Sequence, residues 1–556
     1  MSSHQSDRPP VAQTSTQPDE TLERGLGNRH LQLIAIGGAI GTGLFMGSGK
    51  TISLAGPSIL LVYAIIGTLL FFVMRAMGEL LLSNLKYKSF RDIAEDILGP
   101  WAGFFSGWTY WFCWIVIGMA DLTAVTAYVQ FWWADVPKWL PATCLVLLLL
   151  GLNLIAVRLF GEVEFWFAMI KIVAIISLIV VAVVMLIAAF TSPEGHQATI
   201  ANLWNDGGFF PTGGMGFMAG FQIAFFAFVG IELVGTAAAE TKDPVKTLPK
   251  AINAIPLRVM LFYVCALAAI MAVTPWRSID PSVSPFVSMF SLAGFGAAAA
   301  VVNFVVLTSA ASSANSGIFS TSRMLFGLSL DDKAPKSFGQ LTRHKVPAKG
   351  LIFSCCCLVP GVVLLYLSDS IIGAFTIATS VASVLFIFVW SVIMCCYLVY
   401  RRRTPGLHEA SPYKMPFGIG LSWLVLAFFV VMLVILAFEP DTRMALIATP
   451  IWFIALGIAY AVHRKRHPDD VRKGHEPATM PPYSVLANEF VLSDEIADGA
   501  ADAAPPAGVR APEEADITAQ TEDDWDDQPD GAWTTDDDLR VVVETAKRER
   551  PPVPGS

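Results

Sequence analysis

A few ionisable side chains stand inside segments of the chain that are otherwise continuously apolar. Asp121, Lys171 and Glu232 each have apolar residues on both sides. A charge within a hydrocarbon layer is costly, and residues that carry one there are usually functional. Burial away from water disfavours the charged form of a lysine and of a carboxylate, so these groups can gain or lose a proton when their surroundings change. The chemistry that they indicate is proton exchange within a membrane-embedded protein.

Lys171 and Glu232 are the two candidates for carrying the proton. Lys171 stands about 8 residues into its apolar segment, a helical depth of roughly 12 Å. We expect a charged Lys171 to hydrogen-bond to carbonyl groups freed in the first apolar segment, and a neutral one to release them. The alternatives are that Glu232 carries the proton, or that Lys171 stays charged and extends to the inner surface. Neither has an evident partner on its own helix, and Asp121 either faces a cavity or caps a neighbouring helix.

Arg75 and Glu79 form a different kind of pair. They are four residues apart near the cytoplasmic end of the second apolar segment. Side chains at this spacing lie on one face of a helix and can interact. We therefore expect a structural ion pair here.

The first apolar segment is rich in glycine, a residue that costs a helix interior roughly 1 kcal/mol relative to alanine. Residues 35–49 read AIGGAIGTGLFMGSG, with Gly41-Thr42-Gly43 near the middle of the segment. Irregular backbone inside a membrane persists only where it faces protein or a polar cavity. Gly41 and Gly43 therefore indicate a break at a substrate site. Close helix packing is the alternative, and it fits Gly37 and Gly38 equally well.

A second break is predicted five segments later. Residues 220–240 read GFQIAFFAFVGIELVGTAAAE, with Gly230 in mid-run and Glu232 just after it. Paired discontinuous helices in corresponding positions of two inverted repeats are typical of secondary transporters, whose half-helix N-termini hold an anionic group of the substrate. The layout predicts a five-plus-five inverted repeat with discontinuous helices 1 and 6 and two extra helices.

Membrane-spanning helices must position these residues. The chain has 556 residues, of which 54% are hydrophobic and 15% charged, and its mean hydropathy is +0.58. Apolar runs long enough to cross a hydrocarbon core of about 30 Å recur throughout. The predicted fold is an all-α integral membrane protein, and Pro244 and Pro249 are expected to block helix before its seventh span. About twelve spans are predicted, at 31–51, 57–83, 101–132, 138–157, 163–190, 215–238, 256–275, 286–326, 350–367, 370–400, 421–438 and 446–463.

The two ends of the chain differ from this transmembrane domain, which we place at 23–463. Residues 1–22 are polar, without a signal-peptide pattern, and we expect a disordered cytoplasmic N-terminus. Residues 464–556 hold 10 basic and 22 acidic residues. Such a segment cannot bury enough apolar surface to order itself, so we expect a disordered acidic tail.

The distribution of basic residues predicts the orientation. With the N-terminus inside, the inner loops and flanks hold about 23 Lys and Arg and the outer loops about four. Both termini are therefore expected in the cytoplasm. All eight cysteines fall inside spans, and the histidines lie in loops, tails or at a span edge. We expect no metal site, no cofactor, no catalytic residue and no nucleic-acid partner, so a membrane-embedded enzyme is the least favoured class.

Several long motifs, in order, resemble the amino-acid permeases of the amino acid–polyamine–organocation superfamily. They are NRHLQLIAIGGAIGTGLF, FFVMRAMGELL, FAFVGIELVGTAAAETKDP and NSGIFSTSRMLFGL. GWTYWFCWIVIGMADLTAV and LFGEVEFWFAMIKIVAI are similar to the bacterial branch that carries D-serine, D-alanine and glycine. Asp121, where many relatives have Glu, also fits that branch. The resemblance implies proton-driven import of small zwitterionic amino acids across a bacterial plasma membrane, in contact with membrane lipid. The alternatives are an exchanger or a permease for another amino acid.

The resemblance also implies a binding site for each end of the amino acid. The backbone of Ile40, Gly41, Thr42 and Gly43 would take the carboxylate.

In the second break, the carbonyl groups around Phe228 and Val229, next to Gly230, would take the ammonium group. Phe226 matches an aromatic gate above the site.

Overall fold

The computed structural model describes residues 38–467, apart from 86, 88, 156, 194, 237–243, 293–295, 344 and 439. Within this part the regular structure is helical, and no β-strand occurs beyond one isolated bridge between Thr191 and Gln197. The predicted N-terminal segment 1–22 and nearly all of the predicted tail 464–556 lie outside the described residues.

Most of the described residues lie in α-helices. In chain order they are α1 (Thr42–Phe45), α2 (Gly47–Ala55), α3 (Ile59–Ser83), α4 (Phe90–Leu98), α5 (Pro100–Gln130), α6 (Trp139–Ile155), α7 (Val157–Ile187), α8 (Gly213–Ala224), α9 (Leu233–Thr236), α10 (Pro244–Val273), α11 (Pro285–Leu292), α12 (Gly296–Leu330), α13 (Ala348–Cys356), α14 (Val359–Leu367), α15 (Ile371–Arg403), α16 (Pro405–Ala410), α17 (Gly418–Leu436) and α18 (Pro440–Arg466). Within the described part of the chain, five 3-10 turns lie between these helices, at Gly56–Ser58, Ile200–Leu203, Phe226–Phe228, Trp276–Ser278 and Lys336–Gly339.

Helices of this length and composition make the chain a multi-pass membrane protein. Ten helical stretches of the described residues are long and apolar enough to cross a bilayer, and Trp139–Leu154 is a shorter apolar helix. The all-helical, multi-pass part of the predicted fold is thereby confirmed. The total of twelve spans and the inverted repeat stay predictions.

Two predicted span boundaries were wrong. Helix α10 begins at Pro244 and continues through Pro249, so these prolines do not block helix. A proline inside a helix removes one intrahelical hydrogen bond and need not end the helix, and the buried neighbours Leu248 and Ile252 pack α10 against the rest of the protein around Pro249. The long predicted span 286–326 corresponds to α11 and α12, which lie on either side of residues outside the described part, and α12 extends beyond the predicted end to Leu330.

The helices divide into a buried core and a periphery. In the stretch Gly213–Gly235, 83% of the most apolar 18-residue segment is buried inside the protein, and in α5 and α15 the share is 78%. In Thr442–Arg466 it is only 17%, and its isoleucines face outward. Since apolar side chains are stable facing lipid, the periphery is the lipid-facing surface and α5, α8 and α15 form the core.

Helix α12 packs most extensively against α5, and small residues permit the close approach. A Cβ atom on Gly317 would lie 2.7 Å from Trp114 Cε3 on α5. This contact aims the buried hydroxyl groups of Ser309, Ser312 and Ser313 toward the middle of the protein. A polar strip on α12 is thereby brought to the two interrupted segments described next.

Candidate functional site

The first interruption of a helix occurs at Gly41. Its backbone is extended, with φ −131° and ψ −156°, and α1 begins at the next residue. The Gly41 carbonyl accepts a bond from the N–H of Phe45 at 3.3 Å, and that of Thr42 from Met46 at 2.9 Å. The first N–H groups of a helix have no intrahelical acceptor. The start of α1 therefore directs backbone donors into the interior of the protein.

The second interruption lies between α8 and α9. After the 3-10 turn Phe226–Phe228, Val229 is extended with φ −64° and ψ 139°, and Gly230 has φ +105°. Glycine adopts this positive φ without steric cost. A Cβ at Gly230 would also lie 2.7 Å from the carbonyl oxygen of Gly38, so the two interrupted segments touch here.

The two interruptions enclose a small cavity with an empty volume of about 240 Å³. Gly43 allows the closest approach, because a Cβ there would lie 2.6 Å from Ala227 Cα. The cavity is lined from both segments and by two central helices: Gly38, Ala39, Gly41, Thr42, Gly43, Trp114, Ile117, Phe226, Val229 and Ser313.

Five of the predicted substrate-binding residues line this cavity: Gly41, Thr42, Gly43, Phe226 and Val229. Ile40, Phe228 and Gly230 are buried beside it without lining it. The side chain of Phe228 turns away because it packs between Tyr63 and Tyr263, with ring centroids 5.7 and 5.3 Å apart. Gly38 and Gly230 pack against each other. This contact is the kind of close packing that the sequence offered as the alternative role for Gly38. Gly37 lies outside the described residues.

Two residues near the cavity were missed from the sequence. The hydroxyl of Tyr263 lies 2.7 Å from the carbonyl oxygen of Ala39 and 2.8 Å from that of Ala227. One side chain on α10 thus contacts the irregular backbone of both interruptions. Ser309 donates to the carbonyl of Ile40 at 3.2 Å. A tyrosine or serine in an apolar helix gives no sequence signal of such a role.

Asp121 is fully buried and holds the first interruption. Its carboxylate accepts a hydrogen bond of 2.7 Å from the hydroxyl of Thr42. Asp121 is not among the cavity-lining residues. The bond comes from a side chain at the start of α1, and the two alternatives from the sequence, facing the cavity and capping a neighbouring helix, stay predictions.

Glu232 lies at the second interruption. Its carboxylate accepts the N–H of Gly230 at 3.0 Å and faces the hydroxyl of Tyr110 at 3.4 Å. These contacts hold the irregular turn at Gly230, which precedes α9. The proton-carrying role of Glu232 stays a prediction.

Lys171 is 1% exposed, so it does not extend to the protein surface, and that alternative was wrong. Its ammonium group donates to the hydroxyl of Ser312 at 3.0 Å, and Ser312 donates to Glu164 at 2.8 Å. Glu164 lies on the same helix, two turns earlier, so the expectation that Lys171 has no partner on its own helix was also wrong. The missed signal was the seven-residue spacing of Glu164 and Lys171, which places both on one face of α7, where Ser312 of α12 bonds to both.

The predicted ion pair between Arg75 and Glu79 does not form. Arg75 donates to Asn253 at 2.7 Å and to the carbonyl of Lys414, and its guanidinium lies 4.0 Å from the ring centroid of Tyr413. Burial raises the pKa of Tyr413 to about 12, so its hydroxyl stays protonated and donates to Asn253 at 2.9 Å.

Glu79 has closer donors than Arg75. It accepts the N–H of Met415 at 2.7 Å and the hydroxyl of Tyr397 at 3.1 Å, and lies 2.5 Å from Nδ1 of His408. These partners come from α15, α16 and the connection to α17, far along the chain. Sequence spacing within α3 could not reveal them.

Comparison with known proteins identifies relatives over most of the chain. The amino acid permease family model matches residues 30–473. The chain is 64% identical over 463 residues to the D-serine/D-alanine/glycine transporter of Escherichia coli K12, covering 83% of this chain and 98% of that relative. It is 52% identical over 447 residues to the amino-acid permease AapA of Bacillus subtilis, covering 80% and 96%. It is 38% identical over 452 residues to the aromatic amino acid transport protein AroP of Escherichia coli, covering 81% and 97%.

Proposed function

The chain belongs to the amino acid permease family, and from this premise we propose that it imports glycine, D-alanine and D-serine together with protons by alternating access. Its relatives are named as transporters and permeases, which are not enzymes. The substrates are proposed because the relative with 64% identity is named for them. The alternatives are an exchanger and a permease for another amino acid.

The observation that carries the proposal is the cavity between the two interruptions. Backbone donors at the start of α1 suit a carboxylate, because an anion at a helix start meets free N–H groups and the positive end of the helix dipole. Gly41, Thr42 and Gly43 supply that backbone and line the cavity. Ile40 contributes from beside it.

The opposite wall suits the ammonium group of the same molecule. Val229 lines the cavity in an extended conformation. Carbonyl groups of an unwound segment accept hydrogen bonds from a cation. We assign that role to the carbonyls around Phe228 and Val229, with Gly230 permitting the turn. Phe226 stands between the cavity and Phe375, 6.1 Å away between ring centroids, where an aromatic gate would act.

The small size of the cavity supports small side chains on the substrate. The side chains of Trp114, Ile117 and Phe226 bound the cavity, so the side chain of a bound amino acid would meet large apolar groups close to its two charged ends. Glycine, D-alanine and D-serine are therefore expected to compete with one another for uptake. Arginine and phenylalanine are expected to compete weakly or not at all.

A competition experiment tests this assignment. Uptake of labelled glycine is measured in vesicles that contain the purified protein, with each unlabelled amino acid added in excess. Inhibition by D-alanine and D-serine, and none by arginine or phenylalanine, is the expected result. Strong inhibition by arginine or phenylalanine would assign the protein to another substrate class.

Proton coupling is proposed for the polar group around Lys171. Its ammonium is connected through Ser312 to Glu164, and the same helix α12 carries Ser309, which donates to Ile40. Loss of a proton from Lys171 would weaken its hold on α12 and, through α12, on the first interruption. Glu232 is the alternative carrier, since it holds the second interruption directly.

Two variants distinguish the carriers. Lys171→Ala and Glu232→Gln proteins are reconstituted in vesicles, and glycine accumulation is measured against an imposed pH gradient. The coupling variant is expected to equilibrate glycine without concentrating it. If Lys171→Ala still concentrates glycine with the parent's pH dependence, Lys171 is not the coupling residue.

We further propose a location in the bacterial plasma membrane with both termini in the cytoplasm. The support is the excess of basic residues in alternate connections, including Lys333, Lys336 and the run 401–403. The acidic tail is proposed to have no part in transport. In a labelling experiment on intact cells, a tag at either terminus of the protein is expected to be inaccessible to a reagent that does not cross the membrane.

A further inference from the structure

A second, larger cavity lies at one end of the helices, at the end that the basic residues place in the cytoplasm. We call it the inner groove. It has an empty volume of about 1290 Å³, open to its surroundings. It is formed by the start of α5 (Phe104 and Trp108), the segment Asp332–Lys336 after α12, and the last part of α18 (Trp452 to His467).

The wall of the inner groove is aromatic and apolar along α18. It extends from Trp452 to His467, which spans roughly 22 Å of helix. Trp452 stacks on Phe112 with ring centroids 4.2 Å apart. The neighbouring face of α18 exposes Ile451, Ile454 and others to the surroundings, 66% and 63% of their surface. The wall therefore continues the lipid-facing surface of the protein.

The outer rim of the groove is basic. Lys336 is 87% exposed at its side chain, and Asp332 at 3.5 Å is its only ion-pair partner among the described residues. Exposed ion pairs of this kind contribute little. Arg466, also exposed, stands at the end of α18. The third cation, Lys333, is different because it is buried and paired with Glu95.

Aromatic and imidazole rings connect the rim to the wall. His463 stacks on Phe104 with ring centroids 5.6 Å apart, and on His467 at 4.8 Å. Nδ1 of His467 is buried, and no hydrogen-bond partner for it exists within the described part of the chain. Trp108 donates its indole N–H to the carbonyl of Lys333 at 3.2 Å, which fixes the basic segment against α5.

We propose that the inner groove binds an anionic phospholipid. The headgroup phosphate lies between Lys336 and Arg466, within reach of His467, and one acyl chain follows α18 toward Trp452. Basic pockets between transmembrane helices on the cytoplasmic side are suited to anionic headgroups. The indole ring of Trp108, which is bonded to the basic segment at Lys333, also favours this position at the membrane surface.

The depth of the wall selects a lipid over an acidic peptide. The acidic tail of this chain, which follows His467, could meet the basic rim by charge alone. A wall of roughly 22 Å toward the membrane interior, however, offers no partner to carboxylates, which are costly to place there. An acyl chain fills such a wall without unpaired polar groups. A free phosphate ion would use the rim and leave the wall empty.

Thermal unfolding of the full chain in detergent tests the proposal. The unfolding midpoint is measured against increasing phosphatidylglycerol, phosphatidylcholine or inorganic phosphate. Phosphatidylglycerol is expected to raise the midpoint and the other two are not. In Lys336→Ala/Arg466→Ala, the apparent affinity for phosphatidylglycerol is expected to fall roughly 30-fold, given the usual contribution of two basic residues near an anionic headgroup. Arg402→Ala, which removes an exposed cation outside the groove, is the matched control and is expected to bind like the parent.

A second variant tests the acyl-chain part. Ala459 is exposed and lines the groove, so Ala459→Trp fills the wall without removing a core contact. It is expected to abolish the midpoint shift by phosphatidylglycerol. Equal shifts by phosphatidylcholine, or a full shift by phosphate alone, would overturn the proposal. A different result would assign the groove to the acidic tail instead. In that case phosphatidylglycerol would not shift the unfolding midpoint of the parent or of any variant, and Lys336→Ala/Arg466→Ala would be less stable than the parent without lipid.

Discussion

Replacement of Gly43 by alanine is the sharpest test of the contact between the two interruptions. The added Cβ would lie 2.6 Å from Ala227 Cα and 3.0 Å from its nitrogen. Both atoms are backbone, so no side chain can rotate away, and the segments must separate until the contact reaches at least 3.4 Å. Overpacking of this kind costs about 1–3 kcal/mol. A cost of this size on the conformation with the closed cavity would reduce its population by about 5- to 150-fold.

The assay is the initial rate of glycine uptake in vesicles at equal protein content. Gly43→Ala is expected to lose at least about fivefold in rate, in line with the lower end of that range. Gly41→Ala is the matched comparison, because its Cβ would meet only the Ser313 side chain, at 3.3 Å from Oγ and 3.5 Å from Cβ. Gly151→Ala, with nothing within 4 Å of its Cβ, is the control for expression and insertion. Normal uptake by Gly43→Ala, together with a lower uptake rate in Gly41→Ala, would refute the idea that residue 43 is glycine because of the close contact with Ala227.

Further predictions concern a contact that supports the cavity and two features far from it. Thr42→Val removes the donor to the buried Asp121 carboxylate and is expected to cost about 1.5–3 kcal/mol of stability, measured by thermal unfolding, whereas Thr42→Ser retains it. A double-mutant cycle of Arg75→Ala with Glu79→Gln is expected to give a coupling energy below about 0.5 kcal/mol, because the two side chains do not touch. A larger coupling energy would show that the ion pair forms after all. Removal of the residues after about 475 is expected to leave uptake unchanged at equal membrane abundance, and a loss would give the tail a role in transport.

The apolar runs and the glycines were sufficient to predict much of this architecture. Hydropathy located the long helices because a bilayer requires about 20 apolar residues in succession. The glycines near residue 41 and Gly230 indicated irregular backbone because such residues are costly in a helix. The structure has irregular backbone at both places and brings them together around one cavity.

Partners that are distant in the chain could not be predicted from spacing. Glu79 lies one turn from Arg75, yet its partners come from residues more than 300 positions later. The contact of Tyr263 with both interruptions depends on how α10 packs, which the local sequence does not determine. Glu164 was overlooked because it stands seven residues before Lys171, and the hydrogen bonds that connect the two pass through Ser312 of another helix.

Accumulation of D-alanine in vesicles that contain only this protein tests the central claim most directly. Labelled D-alanine is added outside, with the interior alkaline relative to the exterior, and its internal concentration is followed over time. We expect accumulation above the external concentration, lost when an uncoupler collapses the gradient. Uptake that never exceeds the external concentration, or that requires an amino acid inside and ignores the gradient, would contradict proton-driven import.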